Sequence, residues 1–388
     1  MDLELSEEQK MLKKAAHEFL QKEIVPIAEE YDRTYHPLPK ELAKDLMKRL
    51  VPLGFLSGLV PEEYGGMGLD YISNGILVEE AARAYSSLAF IAAVHQKALL
   101  PALCKYGTEK QRAKFCAPAM SGDAICAIAG TEPDVGSGAR DMRTAAVLDG
   151  DSYIINGTKT WITNGTIADV VCLLASTDRS KGARGISCFI VEKEVSDFSV
   201  RELHKLGFRS LPTGELIFED CRVPKENLLG GLGEGYHIAI EDFYLIRASM
   251  AMIAVGLAQA AIDASVRYAR ERKQFGRPIA KFQLIQELIA DMAIETEAAR
   301  WLTYRAYEML GKGINCRKEC SMAKAYATTK AIDVTSKAIQ IHGAYGISDE
   351  HPLEQYFRDA RSLTFPDGTT EIQKLVIGRE VLNIAAFV

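Results

Sequence analysis

At 388 residues the chain is long enough for two or three domains of the usual size. Hydrophobic residues make up 48% and charged residues 25%, the balance of an ordinary globular protein, and the formal net charge of −6 argues against nucleic acid as the main partner. No apolar run reaches the roughly 20 residues a membrane helix needs, and the first segment has acids before bases and no apolar core, so neither membrane insertion nor a secretory leader is expected and a cytoplasmic location is.

Residues 1–123 read as helical. Ser6 and Gln9 have the spacing of a capping box, and Met11, Leu12, Ala15, Ala16, Phe19 and Leu20 recur at helical period. VPEEYGGMGLD reads as a Gly-rich loop. A helix is predicted over 74–85 and another near AAVHQKALLPALCKYG. The pattern changes at Ala124. Residues 124–232 carry short β-branched runs, and the pairs Asn156-Gly157 and Asn164-Gly165 predict hairpin turns in a compact, largely antiparallel β-domain. Over 233–388 the helical period returns. One very long helix is stopped by Gly276 and Pro278. Others cover FQLIQELIADMAIETEAARWLTYRAYEML and CSMAKAYATTKAIDVTSKAIQIHG, and a fourth follows Asp367, which suggests an antiparallel four-helix bundle. The fold class is therefore multidomain α+β.

Chemistry is harder to place. The eight cysteines are scattered without a C-x-x-C pair, so buried reduced thiols are expected and no metal site is. H-E-x-x-H, G-x-S-x-G and the P-loop pattern are all missing. GGLGEG, Gly230 to Gly235, fails the dinucleotide spacing and has no βαβ context, so it reads as a connecting loop. Three stretches are poorly explained by plain structure: AGTEPDVGSGARD, TKTWITNG with one of only two tryptophans, and RKQFGRPIAKFQ at a helix break. A fourth question is Asp367, on a Pro-Asp-Gly turn before an apolar helix. By local chemistry alone it is a turn acid capping that helix.

Together these stretches resemble the acyl-CoA dehydrogenases, in order and over nearly the whole chain. Thr131-Glu132-Pro133 with Gly136-Ser137 resembles the family's T-E-P-x-x-G-S-D signature. Trp161 to Gly165 resembles its flavin-wall motif, and Arg272 to Gly276 its R-x-x-F-G. Gln340 to Gly346 resembles Q-x-x-G-G-x-G, and PDGTTEIQ resembles the second signature, E-G-T-x-x-I-Q. The resemblance implies helices, then an antiparallel β-barrel, then a four-helix bundle. It also implies FAD, an acyl-CoA substrate, an electron-transferring flavoprotein as electron acceptor, and a homotetramer.

By the same resemblance, Ile128, Thr131, Ser137, Trp161 and Thr163 would surround the flavin. Arg272, Gln274, Phe275, Gln340, Ala344, Thr369 and Glu371 would hold the rest of FAD, partly from a neighbouring subunit. Ser137, Arg247, Gly368 and Arg379 would meet the substrate, and Asp367 would be the catalytic base. The implied reaction is α,β-dehydrogenation, with the α-proton taken by a carboxylate and the β-hydride passed to flavin N5. Most of the family has glutamate at that position. Ile246, where some relatives place the base, cannot accept a proton. Gly138 replaces an aspartate, Tyr244 an acid, and Pro366 stands where an aromatic is frequent. A base shorter by about 1.5 Å leaves room for a branched α-carbon, as in cyclohexane- or cyclohexene-carboxyl-CoA. Two other readings are a nitroalkane-oxidase-like flavin oxidase, which also uses aspartate, and a non-catalytic flavin-binding homologue.

Overall fold

A computed structural model describes residues 4–32, 34–138 and 141–386. The chain opens with α1 (Glu7–Glu23), where Ser6 accepts from the Gln9 amide and Gln9 answers the Ser6 amide, completing the capping box. Then come α2 (Val25–Asp32), α3 (Lys40–Leu50) and α4 (Tyr71–Ala98). The helix breaks at Tyr85 (φ −156°, ψ 97°). The two halves fold back on each other, because Asn74 Nδ2 reaches Gln96 Oε1 at 3.2 Å. In a straight helix, at about 1.5 Å rise per residue, those side chains would stand some 33 Å apart. Two short helices follow, α5 (Leu100–Tyr106) and α6 (Glu109–Ser121).

The middle of the chain forms one sheet. Its strands are β1 (Cys126–Ala129), β2 (Ala145–Asp149), β3 (Ser152–Thr163), β4 (Val170–Ser176), β5 (Ile186–Glu192), β6 (Ser199–Glu202), β7 (Thr213–Pro224) and β8 (Leu228–Leu229). The path runs β6-β7-β3-β2-β4-β5-β8, with β1 on β4. Five of the pairings are antiparallel, while β1 and β2 each meet β4 in parallel. Among the described residues no pairing joins β6 to β8, so the sheet is open rather than a closed barrel. Both edges are short, four residues at β6 and two at β8, which limits the ladder available for closure.

One expected turn is elsewhere. Asn156-Gly157 lies inside β3, at a bulge where the register against β7 shifts. Gly157 has φ 149°, and a Cβ there would press on the Thr144 backbone at 2.7 Å. The glycine permits a bulge and a close approach, not a hairpin. The β2–β3 turn is made by Gly150 and Asp151, between paired Asp149 and Ser152. Asn164, at φ 64°, does begin a turn.

The remainder is helical: α7 (Gly235–Glu271), a small hairpin of β9 (Lys273–Gln274) and β10 (Arg277–Pro278), then α8 (Gln283–Gly311), α9 (Arg317–His342), α10 (Leu353–Ser362) and α11 (Thr370–Leu382). The long helix ends before Gly276 and Pro278, as expected, and α10 is an addition that the sequence pattern had not separated. α7 is the axis, touching α4, α8 and α9. Its Gly256 meets α4 so closely that a Cβ would lie 2.3 Å from the Glu79 carbonyl. Two helical stretches, Tyr71–Tyr106 and Gly235–Glu271, are apolar and long enough to cross a membrane, contrary to the reading of the sequence by runs. Each has 89% of its most apolar window buried in the protein, as core helices do.

Candidate active site

Two signature stretches meet at the edge of the sheet. Thr131 lies two residues past β1, and its carbonyl accepts from the Thr160 amide at 2.9 Å. Glu132 turns back into the protein. It accepts from the Arg143 and Thr144 amides at 2.7 and 2.8 Å and from Lys159 Nζ at 2.9 Å. Burial alone would raise the Glu132 pKa; Lys159 and the Thr144 donors outweigh it and hold the carboxyl below its ordinary value. Burial dominates at Lys159, which falls to about 8 despite its partner. This buried pair sews the Thr131 loop to the strand that carries Trp161.

Trp161 itself is held outward. It sits at a second β3 bulge, between Lys159 and Ile162, with φ 59° and 58% of its surface exposed. A bulky residue at positive φ is a strained choice, kept where the surroundings impose it. Thr163 is half-buried two residues on, and Ile128 is half-buried on β1. Asn164 anchors this edge to the helices, donating to the carbonyls of Ile91 and Cys126 at 3.1 Å each.

Asp367 occupies a different corner, where α7, α9 and α11 converge. It does not cap α11: that role belongs to Thr369, whose hydroxyl accepts from the Ile372 amide at 3.4 Å. Asp367 and Gly368 instead form a left-handed pair, φ 57° and 95°. Their carbonyls face inward. Arg247 Nε donates to Asp367 O at 3.3 Å, Lys324 Nζ donates to Gly368 O at 2.7 Å, and Gln373 Nε2 donates to both at 3.1 and 2.9 Å. The carboxylate itself has no hydrogen bond or ion pair among the described residues. Burial raises its pKa above the ordinary aspartate value, against the pull of Lys324 and Arg247. Ile246, next to Arg247 on α7, is 3% exposed and aliphatic. An unpartnered carboxyl with a raised pKa, backed by cations on a half-buried residue, can take a proton from a bound molecule.

The other predicted residues lie at the surface. Arg272, Gln274 and Phe275 are on the β9–β10 hairpin, with Phe275 92% exposed at φ 50°. Gln340 and Ala344 are exposed at the end of α9, and Arg272 lies 5.8 Å above the ring of neighbouring Tyr345. The hairpin and the α9 loop therefore share one end of the bundle. Ser137, Glu371 and Arg379 are exposed, and Thr369 and Gly368 are half-buried. The structure thus makes three groups: the sheet edge, the Asp367 corner and the bundle end.

A flat tricyclic ring with a polar edge needs an aromatic wall and nearby hydroxyls or amides. Exposed Trp161 between Thr131 and Thr163 fits that need, so the residues present are compatible with a flavin. Two contributors escaped the sequence: Lys324 and Gln373. Lys324 is fully buried, and a signal existed. It shares a helical face with Cys320, Ala327 and Ala331, where an apolar residue belongs. Gln373 was visible only as part of a motif. The Glu132–Lys159 pair joins two motifs 27 residues apart and had no local signal.

Comparison with known proteins bears on the whole chain. Family models described as the N-terminal, middle and C-terminal domains of acyl-CoA dehydrogenase match residues 6–123, 127–221 and 233–382. The chain is 42% identical over 382 residues to the mouse mitochondrial short-chain specific acyl-CoA dehydrogenase, covering 98% of this chain and 92% of the relative. It is 40% identical over 382 residues to a Bacillus subtilis acyl-CoA dehydrogenase, with 98% and 100% covered. An Anaerotignum propionicum acryloyl-CoA reductase (NADH) is 42% identical over 386 residues, with 99% and 96% covered. Among solved structures, the butyryl-CoA dehydrogenase of Megasphaera elsdenii superposes with a TM-score of 0.93 at 36% identity, covering 98% of this chain and 100% of that one. A chain from work on the electron-transferring flavoprotein of Acidaminococcus fermentans gives 0.94 at 40%, with 99% and 100% covered. PigA, solved with FAD and proline, gives 0.92 at 28%, with 98% and 99% covered.

Proposed function

The chain belongs to the acyl-CoA dehydrogenase family, oxidoreductases acting on the CH–CH bond of acyl-CoA, and from that premise we propose that it dehydrogenates a short acyl-CoA with Asp367 as base. The observation that carries the role of Asp367 is its carboxyl, without a hydrogen bond among the described residues, on a half-buried residue in a left-handed turn whose helix is capped by another residue. FAD, when bound, supplies the acceptor for the β-hydride. Trp161, Thr131 and Thr163 would wall its ring, and Thr369, which caps α11, stands beside the Asp367-Gly368 turn. Among the described residues Arg247 hydrogen-bonds the turn through Nε, and its outer nitrogens would meet the substrate.

The chemistry that falls to this chain is proton transfer and positioning. Asp367 removes the α-proton as the β-hydride leaves, so the thioester loses two hydrogens and gains a double bond. A carboxylate near pKa 3.9 is a weak base; burial strengthens it, and proton removal becomes easier once a thioester covers the site and excludes water. The aspartate is one methylene shorter than the family's glutamate. The resulting space suits an alicyclic or α-branched acyl group, cyclohexanecarboxyl-CoA being the simplest. An electron-transferring flavoprotein as acceptor and a tetramer with shared flavin sites complete the proposal; the tetramer is supported by the Arg272–Phe275 hairpin, whose Phe275 is 92% exposed. The relation to an acryloyl-CoA reductase favours a second direction for the same site, with protonated Asp367 returning the α-proton.

The test is anaerobic bleaching of the FAD-loaded protein by a panel of acyl-CoAs, repeated with Asp367→Asn. General-base catalysis contributes about 10²–10⁴-fold, so bleaching should slow by that factor while FAD content and CoA affinity stay nearly constant. Undiminished bleaching by Asp367→Asn refutes the assignment.

A further inference from the structure

Lys324 is a lysine where none is needed for packing. It is 0% exposed, on a face of α9 shared with Cys320, Ser321, Ala327, Thr328 and Ala331. Burying an ammonium costs several kcal/mol unless something repays it. No carboxylate lies within ion-pair distance of it among the described residues. Its ammonium donates to the Gly368 carbonyl, at 2.7 Å. That carbonyl already receives the neutral amide of Gln373 at 2.9 Å, so hydrogen bonding by itself does not call for a charge.

The groups around the turn make the purpose clearer. From α9 come Lys324, Arg317 and Cys320; from α7, Arg247 and Tyr244; from α11, Glu371 and Gln373. Of the acids, Asp367 acts most strongly on Lys324 and the exposed Glu371 less. Of the cations, Lys324 acts on Asp367 more strongly than Arg247 does. The same lysine therefore pins the backbone that aims the carboxyl and sets the charge behind it.

We infer that Lys324 is the positioning residue of the base, locking the Asp367-Gly368 turn through the Gly368 carbonyl and stabilising the Asp367 carboxylate with a buried positive charge. The inference rests on the proposed role of Asp367 in proton transfer. At 0% exposure Lys324 would act through the turn and not on the substrate. Gln373 shares the mechanical task without a charge, and Arg247 adds a longer bond, 3.3 Å, to the Asp367 carbonyl; Lys324 is the fully buried cation of the set.

The test uses the FAD-loaded protein with Lys324→Gln, which can still donate, Lys324→Arg, which keeps the charge, and Lys324→Met, which removes both. Two readouts are needed. One is the titration of the Asp367 carboxyl by difference infrared spectroscopy, assigned against Asp367→Asn. The other is the pH profile of bleaching by acyl-CoA. In Lys324→Gln and Lys324→Met the carboxyl midpoint should rise by about one pH unit or more, and the acid limb of the profile should follow it. Bleaching near neutrality should fall about tenfold at unchanged substrate affinity. Lys324→Arg should keep the limb near its original place. A midpoint unmoved in Lys324→Gln overturns the inference. A midpoint that moves while bleaching is indifferent, with Asp367→Asn equally active, leaves the lysine's effect standing and refutes Asp367 as base. If Lys324→Met does not fold, the Gln and Arg pair decides.

Discussion

Asp367 shows how a single position can combine backbone and chemical requirements. Left-handed φ is tolerated best by asparagine and aspartate after glycine, and residue 367 sits at φ 57°. Asp367→Asn therefore keeps the turn, whereas Asp367→Glu adds a methylene to a strained residue. We expect Asp367→Glu to crowd a ring at the α-carbon, lowering the preference for cyclohexanecarboxyl-CoA over butyryl-CoA in competition assays; an equal gain on both would refute the spacing argument. Glu132 gives a second prediction at this scale. Its folded pKa is depressed, so its contribution is present above the ordinary glutamate value, about 4.3, and is lost as pH falls through the lower folded value. Glu132→Gln should cost toward the lower end of about 3–5 kcal/mol, because Lys159, already near 8, can shed its proton. Denaturant titrations at pH 3 and pH 7 should show the variant and the parent converging in stability at the acid end.

Among elements, the crossing of α7 and α4 is the tightest constraint. Gly256 allows the helices to touch backbone to backbone, and the Glu79 carbonyl stands where a Cβ would go. Gly256→Ala gains helix propensity of about 1 kcal/mol but must separate two core helices, a strain of about 1–3 kcal/mol. The expected net effect is a lower Tm, with a further loss in Gly256→Val. A raised Tm in Gly256→Ala would show that the crossing yields. α4 matters for another reason: His95, on its second half, bridges the sheet and α6. Its Nε2 donates to Ala119 O at 2.8 Å and its Nδ1 accepts from the Cys126 amide at 3.0 Å. Burial lowers its pKa to about 4, so the bridge is neutral at physiological pH.

At the scale of the molecule, exposed apolar side chains concentrate on the last third of the chain. Phe275 is 92% exposed, Leu284 74%, Ile294 68% and Trp301 37%, the last two seven apart on one face of α8. Side chains of this size are costly to leave in water. Sedimentation should show an assembly larger than one chain, and Ile294→Asp with Trp301→Asp should shift it to smaller species. Unchanged sedimentation in that double variant would place the interface elsewhere.

The sequence by itself determined what rests on short-range periodicity and on residue type. Helical runs, the Ser6–Gln9 cap, the change to strands near Ala124 and the stop at Gly276 were all legible, because each depends on neighbours a few residues away. The motif residues were legible as types, and Asp367 stood out because its alternatives at Ile246 and Glu were missing. The role of Asn156-Gly157 depends on packing, since a bulge and a hairpin use the same dipeptide and the partner strand chooses between them. The fold alone assigned the α11 cap to Thr369 and freed Asp367 from that role. It brought Glu132 to Lys159, and Lys324 to Gly368 across 44 residues of chain. A buried charge is stable only opposite its particular partners, and those partners are set by how the helices and strands pack, not by the sequence on either side.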